Sequence, residues 1–263
     1  MIKIKYLVIS VLIIFLVPYI LLGLYAYFKS DSIIFQPQNF SFKDDYSVIK
    51  LPTPNGEKIS AKFFKNQKAL YTILYSHGNA EDIFSSTPFF EELSNVGFNV
   101  LAYDYCGYGT SEGSPSEKNS YEDIETAYNF LINEQKILPE KIIIHGRSLG
   151  GAVAIDLASR KKCGGLIVES SFLSAFRVMT GIRLYPFDKF ESIYKIGNVK
   201  CPVLFIHGTN DNLIPYWHGQ QLFEKANQPK IFYAVENAGH NDLVEVAGKE
   251  YFEQIKRFSI TFK

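Results

Sequence analysis

The segment Gly146-Arg147-Ser148-Leu149-Gly150, followed by Gly151, sets a hydroxyl among small residues at a spacing suited to nucleophilic catalysis. Lys141–His145 before it reads as a strand, and Leu149–Arg160 after it reads as a helix. A tight strand-to-helix turn pushes the serine hydroxyl outwards, and small flanking residues relieve the crowding. The start of the helix adds a partial positive charge and the free N–H of Leu149. The alternative is a glycine-rich turn with no chemistry.

A serine hydroxyl is a weak nucleophile and needs a base oriented by a carboxylate. Five histidines compete. His77, His145 and His207 each end a predicted strand and read as structural, while His218 falls at a predicted helix start. His240 stands in Asn237-Ala238-Gly239-His240-Asn241, a loop between the last strand and the last helix, from which it can reach over the sheet edge. His240 is the expected base. Asp211, in the loop after the seventh strand, is the expected carboxylate, its alternative role being a helix cap before Tyr216. Asp242 is too close to His240 in sequence to orient it from behind, and Asp188 lies in an irregular insertion. The chain order Ser148, Asp211, His240 is that of α/β-hydrolases. An oxyanion requires two N–H donors. Leu149 supplies one, and the loop Ser76–Asp82 supplies the other through Asn79, with Ala80 its neighbouring alternative.

The elements that must position these residues alternate. Strands are expected at Val48–Leu51, Lys58–Lys65, Tyr71–Ser76, Phe98–Asp104, Lys141–His145, Gly165–Ser170, Pro202–His207 and Ile231–Val235. Helices are expected at Thr87–Asn95, Ser120–Gln135, Leu149–Arg160, Tyr216–Ala226 and Leu243–Phe258. Continuous apolar strands such as Ile142-Ile143-Ile144 suit a sheet buried on both faces. The expected fold is α/β: an eight-stranded, mostly parallel sheet with helices on both faces and an antiparallel hairpin at one edge. Between the sixth and seventh strands, Phe172–Lys200 is a short cap rich in apolar and aromatic residues. It reads either as an acyl-chain wall or as an ordinary packed segment. Tyr108, Phe172, Tyr185 and Trp217 are the expected substrate-binding residues.

No charged residue occurs from Tyr6 to Phe28, a run of about 34 Å as a helix and enough to cross a bilayer. The expected organisation is an anchor helix at 1–30, a linker at 31–45 and one catalytic domain at 46–263. Lys3 and Lys5 before the span, against Lys29 and Asp31 after it, favour a cytoplasmic amino terminus and an extracytoplasmic domain. The 27 basic residues balance 27 acidic ones, which argues against nucleic acid as a partner. No zinc-type spacing or phosphate loop is present, so neither a metal nor another cofactor is expected. The three cysteines are too few for a disulfide scaffold, but Cys163 and Cys201 precede neighbouring strands and could bridge.

The elbow, Asp211, His240, the loop His77-Gly78-Asn79-Ala80 and the turn Asp104-Tyr105-Cys106-Gly107-Tyr108-Gly109 together resemble the α/β-hydrolase superfamily over residues 45–258. Within it the chain is most similar to membrane-anchored α/β-hydrolase-domain serine hydrolases, which include lipid lipases and acyl-protein thioesterases. Two positions depart from that pattern. Cys106 stands where the family usually has a structural Arg, which implies altered loop packing. Glu81 stands where a Gly usually follows Asn-Ala, placing a carboxylate near the mouth that would disfavour anionic substrates. The expected function is a membrane-tethered serine hydrolase of a carboxylic ester or thioester, acting on a small-molecule or lipid substrate with an apolar acyl part. The alternatives are a non-catalytic scaffold binding a lipid or protein, and a small serine peptidase.

Overall fold

The structure, a computed structural model, describes residues 2–38 and 44–261, with side chains from Leu12 onwards. Part of the expected 31–45 linker and the side chains of Lys3 and Lys5 therefore lie outside the described residues.

Eight strands form one sheet: β1 (Val48–Pro52), β2 (Lys58–Phe64), β3 (Thr72–Ser76), β4 (Asn99–Tyr103), β5 (Ile142–Arg147), β6 (Gly165–Glu169), β7 (Val203–Gly208) and β8 (Lys230–Val235). Their spatial order is β1-β2-β4-β3-β5-β6-β7-β8. The first two pairings, β1 with β2 and β2 with β4, are antiparallel, and all the others are parallel. Side chains alternate across a strand, so a sheet covered on both faces draws two cores from one apolar run. Ile142, Ile144, Leu74, Leu101, Val203 and Phe205 feed one core. Ile143, Ile73, Val100, Ile167, Leu204 and Ile206 feed the other.

Nine helices are present among the described residues: α1 (Ile2–Ile34), α2 (Thr87–Asn95), α3 (Glu117–Asn133), α4 (Leu149–Arg160), α5 (Ala175–Thr180), α6 (Ser192–Lys195), α7 (Trp217–Lys225), α8 (Leu243–Ala247) and α9 (Lys249–Thr261). Residues of α3, α4 and α7 share the first core, and residues of α2, α8 and α9 share the second. The cap residues 172–200 carry α5 and α6.

Most boundaries shift by one to three residues from the sequence reading, and three differences bear on the architecture. Helix α3 starts at Glu117 rather than Ser120, because Ser116 caps it by accepting the Asn119 N–H at 3.0 Å. The expected last helix is broken in two at Gly248, whose φ of 57° is costly for residues with a Cβ. Helix α1 continues past residue 30 to Ile34. Its stretch Leu12–Ile34 has a mean hydropathy of 1.9 and is almost entirely exposed, so it is long and apolar enough to cross a membrane.

The topology decides where chemistry can sit. β5 lies between β3 and β6, so the turn that ends β5 abuts the loop leaving β3. The loops leaving β7 and β8 emerge on the same edge of the sheet. That edge, outside the carboxyl ends of parallel strands where the strand order reverses, is where open α/β sheets gather ligand sites.

Candidate active site

Ser148 occupies the turn between β5 and α4 with φ 53° and ψ −116°, a backbone conformation that residues with a Cβ rarely adopt. Its neighbours make the turn possible. A Cβ on Gly146 would meet the Gly150 carbonyl oxygen at 2.1 Å, and one on Gly150 would meet the Ser76 carbonyl oxygen at 2.1 Å. The glycine pattern thus packs the turn against the end of β3. Leu149 opens α4, so no intrahelical acceptor exists for its N–H.

Two loops, those leaving β8 and β7, bring their side chains to this turn. His240 Nε2 lies 3.0 Å from Ser148 Oγ, and His240 Nδ1 lies 2.7 Å from Asp211 Oδ2. Asp211 is fixed in turn by its other oxygen, which accepts the N–H groups of Leu213 at 3.0 Å and Ile214 at 2.7 Å. Burial alone would raise the Asp211 carboxyl, but hydrogen bonds from His207 and His240, the His240 charge and the Ile214 N–H outweigh it and hold the group well below the usual range. Asp211 is therefore ionised throughout the neutral range.

The rival residues have other partners, and only His207 also touches the site, with Nε2 3.4 Å from Asp211 Oδ2. His145 Nε2 is 2.9 Å from Glu169, His207 Nε2 donates to the Ile214 carbonyl at 2.8 Å, and His218 Nδ1 accepts the Leu173 N–H at 3.2 Å. His77 is buried with Nδ1 2.7 Å from the Gly78 carbonyl, and its burial holds it at about 4. Asp242 accepts the Gly239 N–H, and Asp188 accepts the Phe176 N–H inside the cap.

Asn79 lies in the loop leaving β3 with its side chain held. Its Oδ1 accepts the Tyr108 hydroxyl at 2.6 Å and the Gln36 N–H at 3.0 Å. Its backbone N–H has no acceptor among the described residues.

The four expected substrate-binding residues do not gather around one cavity. Tyr108 is buried as the partner of Asn79, and Phe172 is in the core on the α4 face. Tyr185 stacks on Tyr19 of α1, and Trp217 stacks on His218 beside a separate surface cleft. None of the four lines the cavity of about 450 Å³ that opens beside His240, whose walls include Tyr75, Ala80, Phe89, Arg147, Leu243 and Val244.

Arg147 is a residue whose role the sequence reading missed. Its guanidinium donates to the His240 carbonyl at 3.0 Å and to Asn241 Oδ1 at 2.8 Å, pairs with Glu81, and lies 3.4 Å from Glu169. Glu169 is buried but held below the usual range: burial opposes its ionisation, and the His145 hydrogen bond, the charges of His145 and Arg147 and the Tyr251 hydroxyl overcome it. Glu81 therefore does not face the mouth as a free carboxylate, as its position suggested. Arg147 neutralises it, and its other oxygen accepts the Gly78 N–H at 3.2 Å. Only the identity of the second elbow residue signalled this clamp, since its partners lie on three other loops and strands. Replacing Arg147 by Met leaves Glu81 and buried Glu169 without their cation and frees the His240 loop. The expected loss is about 3 kcal/mol, the usual cost of orphaning one member of a buried pair. Thermal unfolding checks it, and an unchanged melting temperature contradicts it.

Cys106 fills the place of the usual Arg with a thiol that donates to Asp123 Oδ1 at 3.1 Å, while its N–H donates to Asp123 Oδ2 at 2.8 Å. Burial pushes Asp123 up to about 7 against these hydrogen bonds. A carboxyl raised on folding binds protons that the unfolded chain has released, so its stabilisation is complete below about pH 4 and is lost as pH rises through 7. Asp123→Asn is expected to lose less stability than wild type between pH 5 and pH 8. Parallel melting curves across that range contradict the assignment.

Cys163 and Cys201, the pair whose bridging the sequence left open, stand as free thiols with their sulfurs 3.1 Å apart in a hydrogen-bonded contact.

A strained serine turn facing histidine and carboxylate loops across a mostly parallel eight-stranded sheet is the architecture of the α/β-hydrolase class. The comparisons agree, and the chain belongs to this family, among the alpha/beta hydrolase domain-containing proteins of type 17. It is 41% identical over 220 residues to human alpha/beta hydrolase domain-containing protein 17B, covering 82% of this chain and 76% of that protein. It is 40% identical over 219 residues to the 17C protein of Xenopus tropicalis, covering 82% and 70%. Residues 67–186 match the family described as "Serine aminopeptidase, S33". Among solved structures, a Pyrococcus furiosus esterase aligns with a TM-score of 0.72 at 19% identity over 87% of this chain and 98% of its own. A Paleococcus ferrophilus monoacylglycerol lipase aligns with a TM-score of 0.63 at 21% identity over 78% and 99%. At these identities the two structures show a shared fold.

Proposed function

We propose that this chain is a membrane-tethered serine hydrolase that cleaves a carboxylic ester or thioester with an apolar acyl part, through an acyl-enzyme on Ser148. The observation that carries this reading is the unbroken series from Asp211 Oδ2 to His240 Nδ1 and from His240 Nε2 to Ser148 Oγ, at 2.7 and 3.0 Å. In the reaction, His240 Nε2 takes the Ser148 proton as Oγ attacks the carbonyl carbon. Asp211 holds the imidazole with its proton on Nδ1 and stabilises the cation that forms. The N–H groups of Leu149 and Asn79 receive the oxyanion. His240 then gives its proton to the leaving group, and a water activated by the same ring releases the acyl group.

The strained backbone at Ser148 favours catalysis over a binding scaffold. Such a conformation costs about 1–3 kcal/mol and persists where the surroundings impose it, commonly at active sites. In the cavity beside His240, Tyr75, Phe89, Leu243 and Val244 offer apolar surface for an acyl part, next to the Arg147, Glu81 and Glu169 cluster on the same walls. The exposed apolar stretch of α1 supports the tether, and the lysines before it support a cytoplasmic amino terminus with the catalytic domain on the far side. Protease protection in closed vesicles tests that orientation: protection of the domain from external protease in vesicles with the cytoplasmic face inward contradicts it.

The substrate class is tested with the full chain in phosphatidylcholine vesicles, using nitrophenyl esters from butyryl to palmitoyl, matching thioesters and an amino-acid nitroanilide. Ester or thioester turnover that rises with chain length is expected. Cleavage of the anilide alone means a peptidase, and turnover of none means a scaffold.

A further inference from the structure

Helix α1 does not stand clear of the cap. Tyr19 donates its hydroxyl to the Leu184 carbonyl at 2.8 Å, and Tyr185 donates its own to the Tyr19 carbonyl at 3.1 Å. The two rings stack with centroids 4.7 Å apart, and Tyr27 meets Phe187 edge to face at 5.3 Å. Gly23 permits this approach, because a Cβ there would come within 2.8 Å of the Tyr185 ring.

These contacts fix a depth. Phe28 is the last residue before the charges Lys29 and Asp31, and Tyr19 lies about 14 Å along the helix axis on the membrane side of it. Lys189, at the base of the cap, pairs with Asp31 at 3.2 Å and marks the level of water. The cap therefore runs from that ion pair down the side of α1, well past the end of the charged zone. Its tip is made for such a place: Met179, Ile182 and Leu184 are 88%, 62% and 45% exposed. The one cation of the tip, Arg183, is engaged by Glu191 at 3.1 Å, the Tyr194 hydroxyl and the Pro186 carbonyl. Tyr27, two residues before Lys29, lies at the level where aromatic residues gather between hydrocarbon and water, and it meets Phe187 of the cap there.

We propose that the tip of the cap, residues 179–187, is immersed in the same bilayer leaflet that α1 enters. The inference rests on the reading of α1 as a membrane span. An exposed apolar tip held against a spanning helix has hydrocarbon as its natural covering, and burial there removes its apolar surface from water.

The test uses the full chain with Trp217→Phe in phosphatidylcholine vesicles and one new tryptophan at a time: Ile182→Trp, Leu184→Trp, Leu16→Trp in α1, or Leu138→Trp at the opposite end of the sheet. Lipids brominated on the acyl chain are expected to quench the first three and leave Leu138→Trp bright, while aqueous iodide quenches only Leu138→Trp. Quenching by lipid at Leu16→Trp without quenching at Ile182→Trp or Leu184→Trp overturns the immersion alone. If Ile182→Cys then forms a cross-linked dimer, a second copy of the chain covers the tip instead. Loss of lipid quenching at Leu16→Trp as well overturns both the span and the immersion.

Discussion

Replacing Ser148 with Ala is expected to lower kcat by about 10⁶ towards an activated ester, the loss typical when a triad nucleophile is removed. The fold should survive, because Ser148 Oγ makes its recorded hydrogen bond only to His240. A companion variant separates the chemistry from the turn that presents it. Ser148 carries φ 53° with a Cβ in place, and glycine adopts that conformation freely. Ser148→Gly should therefore be as inactive as the alanine variant yet more stable by about 1 kcal/mol, the lower end of the usual strain at such positions. Steady-state hydrolysis and thermal melts measure the two effects. An alanine variant retaining more than a small fraction of activity removes Ser148 from the mechanism, and a glycine variant less stable than wild type removes the strain from the account.

Asp211→Asn is expected to reduce kcat by about 10⁴ with little change in KM. The direction follows from the hydrogen bonds. Asp211 Oδ1 accepts the N–H groups of Leu213 and Ile214, so an asparagine would keep its oxygen there and turn its NH2 towards His240. Nδ1 would then become an acceptor, the ring proton would move to Nε2, and Nε2 could no longer take the Ser148 proton. Since Asp211 is held ionised well below neutral pH, the deficit should be nearly constant from pH 6 to pH 9. For stability the sign is the usual one for a depressed carboxylate: the contribution is present above about pH 4 and lost as pH falls below it. Combining Asp211→Asn with Ser148→Ala should add little further loss, because the groups act as a unit. A deficit below tenfold, or full additivity, contradicts the assigned role.

Much of this arrangement was legible in the sequence, for a physical reason. In a parallel sheet every strand delivers its following loop to one edge, so expecting strand ends at His145, His207 and Val235, within two residues of the observed Arg147, Gly208 and Val235, nearly fixes where Ser148, Asp211 and His240 can meet. The burial of Ile142-Ile143-Ile144 on both faces of the sheet likewise follows from local pattern. What was not legible depends on contacts between distant segments. Tyr185 lies against Tyr19, 166 residues away, and away from the cavity beside His240. Trp217 stacks on its own neighbour His218, a choice of side-chain direction that residue type does not reveal. Arg147 looked like an arbitrary filler of the elbow, yet it ties the loops of Glu81 and His240 together. Gly248 split a helix whose apolar periodicity runs through the break.

The central claim is that Ser148 is an activated nucleophile, and fluorophosphonate labelling tests it most directly. In that reaction Ser148 Oγ forms a bond to phosphorus, fluoride leaves, and His240 takes the proton. The full chain in vesicles should gain one phosphonyl group, mapped by peptide mass spectrometry to Ser148 and lost in both Ser148→Ala and His240→Ala. A folded wild-type protein that stays unlabelled from pH 6 to pH 9, or one labelled at another serine, contradicts the claim.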